Sequence, residues 1–493
     1  MLLLGIDVGT SSIKVAVVDG TTGQCIAAAY APETEMEIRV PQPGWAEQDP
    51  EAWWLYVQQA ILKCHASGAY DPKKIRAIGI SYQMHGLVLV DKNGEVLRPS
   101  IIWCDGRAVE KGEAAFNALG HEYCLTHLLN APGNFTASKL AWVKEAEPQV
   151  YQRIHLAMLP GDFIAMKLTG EATTTVSALS EGIFWDFENN TVSKELLQYY
   201  GLDESHLPNV RPVFAPHGQL LKEVAQKLSL EPGVEVSYKA GDQLNNAFSL
   251  HAMQPGEVAA TAGTSGVIYG ITDKLQPDPL SRINSFAHVN HRENAQRIGV
   301  LLCINGAGSC NRWIRQMAGN GSSYAELNEA AAQVPPGAEG LFVLPFGNGP
   351  ERMLQNRAIG AHLHHLDWNI HGPAHLVRAG QEGIAFAFRY GLDIMRENGM
   401  QPTVVRAGHA NMFLSDVFLQ AFVNATGVPV ELYHTDGSIG AAWGAGAIYR
   451  ENALVKVDGP FRTVAPNSAT RYNELYEQWK GLLHMHMNQN KFI

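Results

Sequence analysis

Three familiar phosphate- and metal-binding signatures are missing from this 493-residue chain. No Gly-Lys dipeptide occurs, so there is no G-x-x-x-x-G-K-[ST] loop, and neither G-x-G-x-x-G nor H-E-x-x-H is present. These absences argue against P-loop, dinucleotide-type, protein-kinase-type and zincin chemistry. Long apolar runs are missing too, and none approaches the ~18 residues of a membrane-crossing helix. Met1-Leu2-Leu3-Leu4 has no basic flank and meets Asp7 at once, so it reads as a strand start rather than a signal peptide. Cysteine is sparse and scattered at Cys25, Cys64, Cys104, Cys124, Cys303 and Cys310, with no C-x-x-C pair. That pattern points to a reducing, cytoplasmic setting rather than a disulfide framework. Positive charge is in the minority, 37 Lys and Arg against 48 Asp and Glu, for a net charge of -11. Such a chain has no electrostatic footprint for nucleic acid or an anionic membrane. A phosphate-bearing ligand would have to be held locally, by backbone N–H groups, single cations or Mg²⁺.

What is present is ordinary for a globular enzyme: 46% hydrophobic and 17% charged residues, enough for two to four domains. Apolar runs at 2–7, 12–19 and 24–30, with Thr21-Thr22-Gly23 as a turn, predict a β-meander. Asp49-Pro50 opens a helix whose apolar face is Trp53, Val57, Ala60, Ile61 and Cys64. Strands are predicted at 75–81, 87–91, 257–262, 267–271, 296–304, 340–345, 403–407 and 428–433. Helices are predicted from about 309, over 374–398, 412–425 and 438–451, and in a final amphipathic stretch at 469–488.

The two halves share a pattern: Asp7 to Val18 (DVGTSSIKVAVV) and Thr261 to Thr272 (TAGTSGVIYGIT) each place G-T-S between two strands. This predicts an internal duplication with two similar lobes; a chance match of turn residues is the plain alternative. Small residues let backbone N–H groups approach phosphate oxygens, and Thr and Ser hydroxyls add donors. Asp7, at a strand end before the first turn, would suit hydrated Mg²⁺, which is held through one or two carboxylates; alone, it equally suits a turn cap. Lys14 by itself reads as solvent-facing, and Trp103 as packing.

The ordered set Asp7-x-Gly9-Thr10 with Lys14, Gln83-Met84-His85-Gly86, Trp103-Cys104-Asp105-Gly106-Arg107, Gly241-Asp242-Gln243 and Thr261 to Gly266 resembles the FGGY carbohydrate kinases. Similarity extends from residue 1 to about 450. The resemblance implies an α/β fold of two actin-like, ribonuclease-H-like lobes with an interlobe cleft. It divides the chain into a sugar-binding lobe at 1–248, a nucleotide-binding lobe at 249–455 and a helical tail at 456–493. It implies ATP and Mg²⁺ as cofactors and a small sugar as substrate. The Gln83–Gly86 segment resembles that of members acting on D-xylulose, so the expected product is D-xylulose 5-phosphate. Rival expectations are another polyol (ribulose, gluconate or glycerol) and an actin-fold sensor that binds without turnover. Oligomeric state is left open, a homodimer included.

Residue by residue, the resemblance makes Asp242 the general base. Met84, His85, Asp105 and Gln243 become sugar contacts, and Asp7 the Mg²⁺ ligand. Thr10, Ser11, Lys14, Gly263, Thr264, Ser265, Gly306, Gly308, Gly408, His409 and Asn411 become nucleotide contacts. Asp105 and Arg107 either bind polyol hydroxyls or pair with each other. The chain departs from the family at Arg406–Asn411, where one glycine stands in place of two or three and His409 is expected at the purine site. It also departs at Asn134, His365 and Gly380.

Overall fold

The computed structural model describes residues 1–449 and 459–489. Its secondary structure starts where the apolar alternation places it. β1 (Leu2–Val8), β2 (Ile13–Asp19) and β3 (Cys25–Ala31) form an antiparallel meander. α1 (Pro50–His65) begins at Asp49, whose carboxylate accepts from Glu51 N, with proline at its first position. Its predicted face, Trp53, Val57, Ala60, Ile61 and Cys64, is buried, each large side chain contributing roughly 1.5–3 kcal/mol. β4 (Ile75–Tyr82) then pairs parallel to β1, and β5 (Glu235–Gly241) parallel to β4. The spatial order is β5-β4-β1-β2-β3. Between β4 and β5 lie α2 (Thr136–Ala146) and α3 (Val176–Glu181). α4 (Asp242–Ser249) follows β5 without a loop.

The second sheet repeats this plan. β6 (Glu257–Ala262) and β7 (Gly266–Thr272) are antiparallel, and β8 (Ile298–Ile304) lies beyond β7. α5 (Ala307–Ala318) and α6 (Pro373–Glu397) lead to β9 (Val404–Gly408), parallel to β6. α7 (Asp416–Thr426) leads to β10 (Val430–Tyr433), parallel to β9. The order β8-β7-β6-β9-β10 matches β3-β2-β1-β4-β5, so the G-T-S turns occupy equivalent places. The core of this unit includes Ile268, Leu302, Phe386, Phe388, Phe418, Phe422 and Trp479.

The predicted helix at 412–425 is broken in two. Asn411–Leu414 is a single 3₁₀ turn, and Ser415 restarts the chain by accepting from Phe418 N as the cap of α7. The predicted helix at 438–451 is α8 (Gly437–Gly446) with a short 3₁₀ turn to Tyr449. Its expected end at 451 and the 455/456 division lie outside the described residues. β11 (Arg462–Val464) and α9 (Ala469–Gln489) complete the chain.

Two compact units result. The first holds Met1–Ser249, Phe286–Ile298 and Thr435–Asp458; the second holds Leu250–Ser285, Gly299–His434 and Gly459–Ile493. α8 thus returns to the first unit, on the β1–β4 face. A Cβ at Gly5 would overlap Ser438 O and one at Gly79 would overlap Ala441 O. Glycine there lets the helix backbone touch the sheet backbone.

Candidate active site

In the first unit, three neighbouring parallel strands end level with one another. Asp7 of β1 stands opposite Ser81 of β4, and Gly241 of β5 opposite Tyr82. The carboxyl ends of parallel strands are where α/β sheets place ligands. Asp7, the segment Gln83–His85 and Asp242 therefore share one edge. β1 and β5 flank β4, which sets Asp7 and Asp242 about 10 Å apart.

Asp242 is the first residue of α4 and is partly buried. Burial, then the charge of Asp7, push its carboxyl up to about 7, against hydrogen bonds from Gln243 and its own N–H. Asp7 is also raised by burial, offset by Ser81 and Lys14 and reinforced by Asp436. The carboxylate of Asp436 is taken up in capping α8, accepting from Ser438 N at 2.9 Å and Ile439 N at 3.0 Å. Lys14 is exposed and faces Asp7 across the β1–β2 ladder. Among the described residues, no three His, Cys, Asp or Glu converge as a metal ligand set. The Asp7 carboxylate, with one nearby lysine and two repelling carboxylates, still has the chemistry for a hydrated divalent cation.

His85 has φ +61°, an unusual conformation for a non-glycine residue. Its surroundings hold it there. Its carbonyl accepts from the buried Lys139 of α2 at 2.7 Å, and its ring packs on Phe135 at 4.7 Å and Phe286 at 5.4 Å. Nδ1 donates to Glu181 O at 2.8 Å, which makes Nε2 the acceptor nitrogen of the neutral ring. Met84 is buried beside Gly241. Burial drives the Lys139 ammonium down to about 7, partly countered by Asp105.

The first G-T-S turn is tied to the same edge. Thr10 Oγ1 donates to Gln83 Oε1 at 3.3 Å, Gln83 Nε2 to Gln48 Oε1 at 3.0 Å, and Gln48 Nε2 to Thr10 O at 2.8 Å. Trp103 is 51% exposed and donates through Nε1 to Thr10 Oγ1 at 3.0 Å, so it is not the packing residue expected. Ser11 is exposed and Gln243 partly buried. Asp105 is fully buried and engaged by Arg107, at 2.7 Å from Nη2, and by the N–H groups of Ala46 and Arg107. Of the two alternatives for this pair, the ion pair is the one the geometry supplies; no oxygen of Asp105 is left facing a sugar.

In the second unit, a cavity of about 400 Å³ opens beside the other G-T-S turn, lined by Gly263, Thr264, Gly308, Asn311, Arg312, Tyr324, Asn328, Gln381, Asn411 and Ser415, among others. Gly308 N donates to Gly263 O at 2.9 Å and Ser309 N to Thr264 O at 3.0 Å, docking the start of α5 on the turn. A side chain at 308 would collide with the Gly263 carbonyl. Asn411, at φ +53°, points its amide toward Gly263. Gly306 is instead packed under Pro345 O, and Ser265 is exposed on the turn. Gly408 and His409 are not on this wall. The His409 ring packs on Phe461 at 5.0 Å and His434 at 5.7 Å. Sequence reading missed Glu181, Lys139, Asn328 and Gln381, which gain meaning only from neighbours far along the chain.

Residues 2–249 match the model of the FGGY carbohydrate kinase N-terminal domain, and residues 258–448 that of the C-terminal domain. A xylulose kinase of Klebsiella pneumoniae is 31% identical over 468 residues, covering 93% of this chain and 92% of its own. The crystal structure of xylulose kinase from Rhodospirillum rubrum superposes with a TM-score of 0.88 at 26% identity, covering 99% of this chain and all of that one. Gluconate kinase from Lactobacillus acidophilus superposes as well, at 0.88 and 22% identity over 99% of this chain and 98% of its own, a likeness of fold alone.

Proposed function

Because the chain belongs to the FGGY family of carbohydrate kinases, and is thus an ATP-dependent sugar kinase with an actin-like fold, we propose that its substrate is D-xylulose and its product D-xylulose 5-phosphate. The observation that supports this reading is that Asp242, following Gly241 against which Met84 packs, shares a sheet edge with the Gln83–His85 segment and has its carboxyl pushed up to about 7. A general base works best when its pKa lies near the operating pH. The xylulose kinase relative supports the choice of sugar.

In this mechanism Asp242 accepts the proton of the terminal O5 hydroxyl as that oxygen attacks the γ-phosphorus of ATP. The phosphorus–oxygen bond to ADP breaks, and the proton stays on the carboxyl. His85 Nε2 accepts from a sugar hydroxyl, and Met84 covers the C–H face. Thr264, the Gly263 turn and the α5 start hold the nucleotide phosphates through N–H and hydroxyl donors. Asp7 would hold hydrated Mg²⁺, which neutralises phosphate charge when bound.

The test is ATP consumption across D-xylulose, D-ribulose, xylitol, glycerol and gluconate. D-xylulose should give the highest kcat/KM, since a hydrogen-bonding pocket discriminates against analogues that leave its groups unpaired. A preference for gluconate or glycerol would overturn the sugar assignment and leave the kinase intact.

A further inference from the structure

We infer that Glu181 is a positioning residue of the sugar-binding unit, a buried carboxylic acid that locks the 82–85 segment to the Gly241–Asp242 peptide. The inference rests on the proposed roles of Asp242 and His85 and adds a residue to them. Glu181 closes α3 and has no exposed surface. Its Oε1 accepts from the Tyr82 hydroxyl at 2.9 Å, and its backbone carbonyl accepts from His85 Nδ1 at 2.8 Å. Its two carboxyl oxygens lie 2.9 and 3.0 Å from where a Cβ on Gly241 would stand, with Met84 Cγ at 2.7 Å from the same point. The side chain therefore touches the strand end of β4 and fills the space behind the residue that precedes Asp242, while the backbone carbonyl of the same residue holds the His85 ring.

The charge state follows from the surroundings. The groups acting on the Glu181 carboxyl are Tyr82, Asp242, Asp162 and the backbone of His85. Asp162 is already paired with Lys239 at 2.6 Å, and among the described residues no ion pair to Glu181 is formed. Burial, then Asp242 and Asp162, hold its carboxyl well above the usual range, against hydrogen bonds from Tyr82 and the His85 backbone, a direction that favours the neutral acid. Its Oε2 is buried without a hydrogen-bond partner. A neutral acid can fill this position without adding a second unpaired negative charge beside Asp242, since Asp162 is paired with Lys239. An ionised one would push the base higher still.

The test compares Glu181→Gln and Glu181→Ala in the full-length enzyme with D-xylulose and MgATP. Glutamine keeps the acceptor for Tyr82 and the neutral charge, so kcat should stay within about threefold and the acid limb of kcat/KM should not move. Alanine removes the side-chain part of the lock and leaves the backbone carbonyl that holds His85: kcat should fall by about 10²-fold and the sugar KM should rise by about tenfold, with the ATP KM unchanged. Should the alanine variant not fold, Tyr82→Phe, which removes only the Oε1 bond, should raise the sugar KM by about threefold. An acid limb displaced by about one pH unit in Glu181→Gln would mean an ionised Glu181 and overturn the inference. Wild-type sugar KM and kcat in Glu181→Ala, or in Tyr82→Phe where that stands in, would reduce Glu181 to packing. Infrared difference spectra read the residue without turnover. The carbonyl stretch of a protonated carboxyl should be lost in Glu181→Gln and kept in Asp242→Asn. Its absence from the wild type sinks the neutral acid and spares Asp242 as base, whereas full turnover by Asp242→Asn sinks the base and leaves the band in place.

Discussion

Replacing Gly437 by alanine tests where the Asp7 carboxylate has to sit. A Cβ at 437 would stand 2.5 Å from Asp7 Oδ2 and 2.7 Å from its Cγ, against roughly 3.5 Å for non-bonded contact. Something must move by about 1 Å. α8 has little freedom to do so, because Gly440 and Gly444 seat it against Asn245 and Tyr238 and its backbone lies on Gly5 and Gly79. The displaced group is therefore the carboxylate. Alanine suits the backbone, since Gly437 lies in the helix and outside the left-handed region. Alanine is favoured over glycine there by about 0.5–1 kcal/mol. A misplacement of about 1 Å costs on the order of 10²-fold in rate. With D-xylulose and MgATP, kcat should fall by about 10²-fold and half-saturating Mg²⁺ should rise, while sugar KM and Tm hold. The assay is coupled ADP release across a Mg²⁺ titration, with a melting curve as control. Wild-type kcat and Mg²⁺ response in a folded Gly437→Ala would show that the position of Asp7 is irrelevant and remove it from the proposed metal role.

Three further outcomes follow from the same edge and cavity. Asp242→Asn should lower kcat by roughly 10²–10⁴ with little change in sugar affinity. Its stability should follow linkage: the native carboxyl titrates at about 7 instead of 3.8, so ionising it penalises the wild-type fold. The variant should match wild type below about pH 4 and gain progressively up to about pH 8, a trend that chemical denaturation at stepped pH would reveal or exclude. His85→Ala should raise the sugar KM more than the ATP KM, because its proposed role is contact with the sugar. Thr264→Val should do the reverse, since Thr264 lies on the cavity of the second unit; equal effects on both substrates in steady-state kinetics would sink either assignment.

How much of this was legible in the sequence depends on distance along the chain. The meander, the Asp49-Pro50 helix start and the two G-T-S hairpins are written in residues a few positions apart, where period and turn chemistry act directly. That Asp7, His85 and Asp242 lie at or just past strand ends was legible because they stand within short motifs. Glu181 was not: Ser180-Glu181-Gly182 reads as the end of a helix, and only the fold brings it to Tyr82, 99 residues away. Lys139 meets the His85 carbonyl across 54 residues and the Asn328–Gln381 pair spans 53, separations at which local pattern carries no information. The placing of His409 could not be read from its motif either: its backbone N–H pairs with Tyr433 O and its ring packs on Phe461, both brought to it by the fold.

The chemistry at the β1–β4–β5 edge is governed by an imbalance of charge. Asp7 lies in electrostatic reach of both Asp242 and Asp436, and the exposed Lys14 acts on Asp7 from β2. Each carboxylate is handled differently. Asp436 is satisfied by backbone N–H groups of α8, Asp242 is pushed to a pKa suited to taking a proton, and Asp7 keeps oxygens beside the helix start. A cation set against Asp242 would lower the pKa that suits it to taking a proton; Lys14 acts on Asp7 instead, and Asp7 keeps the chemistry for positive charge that would arrive with a phosphate-bearing substrate.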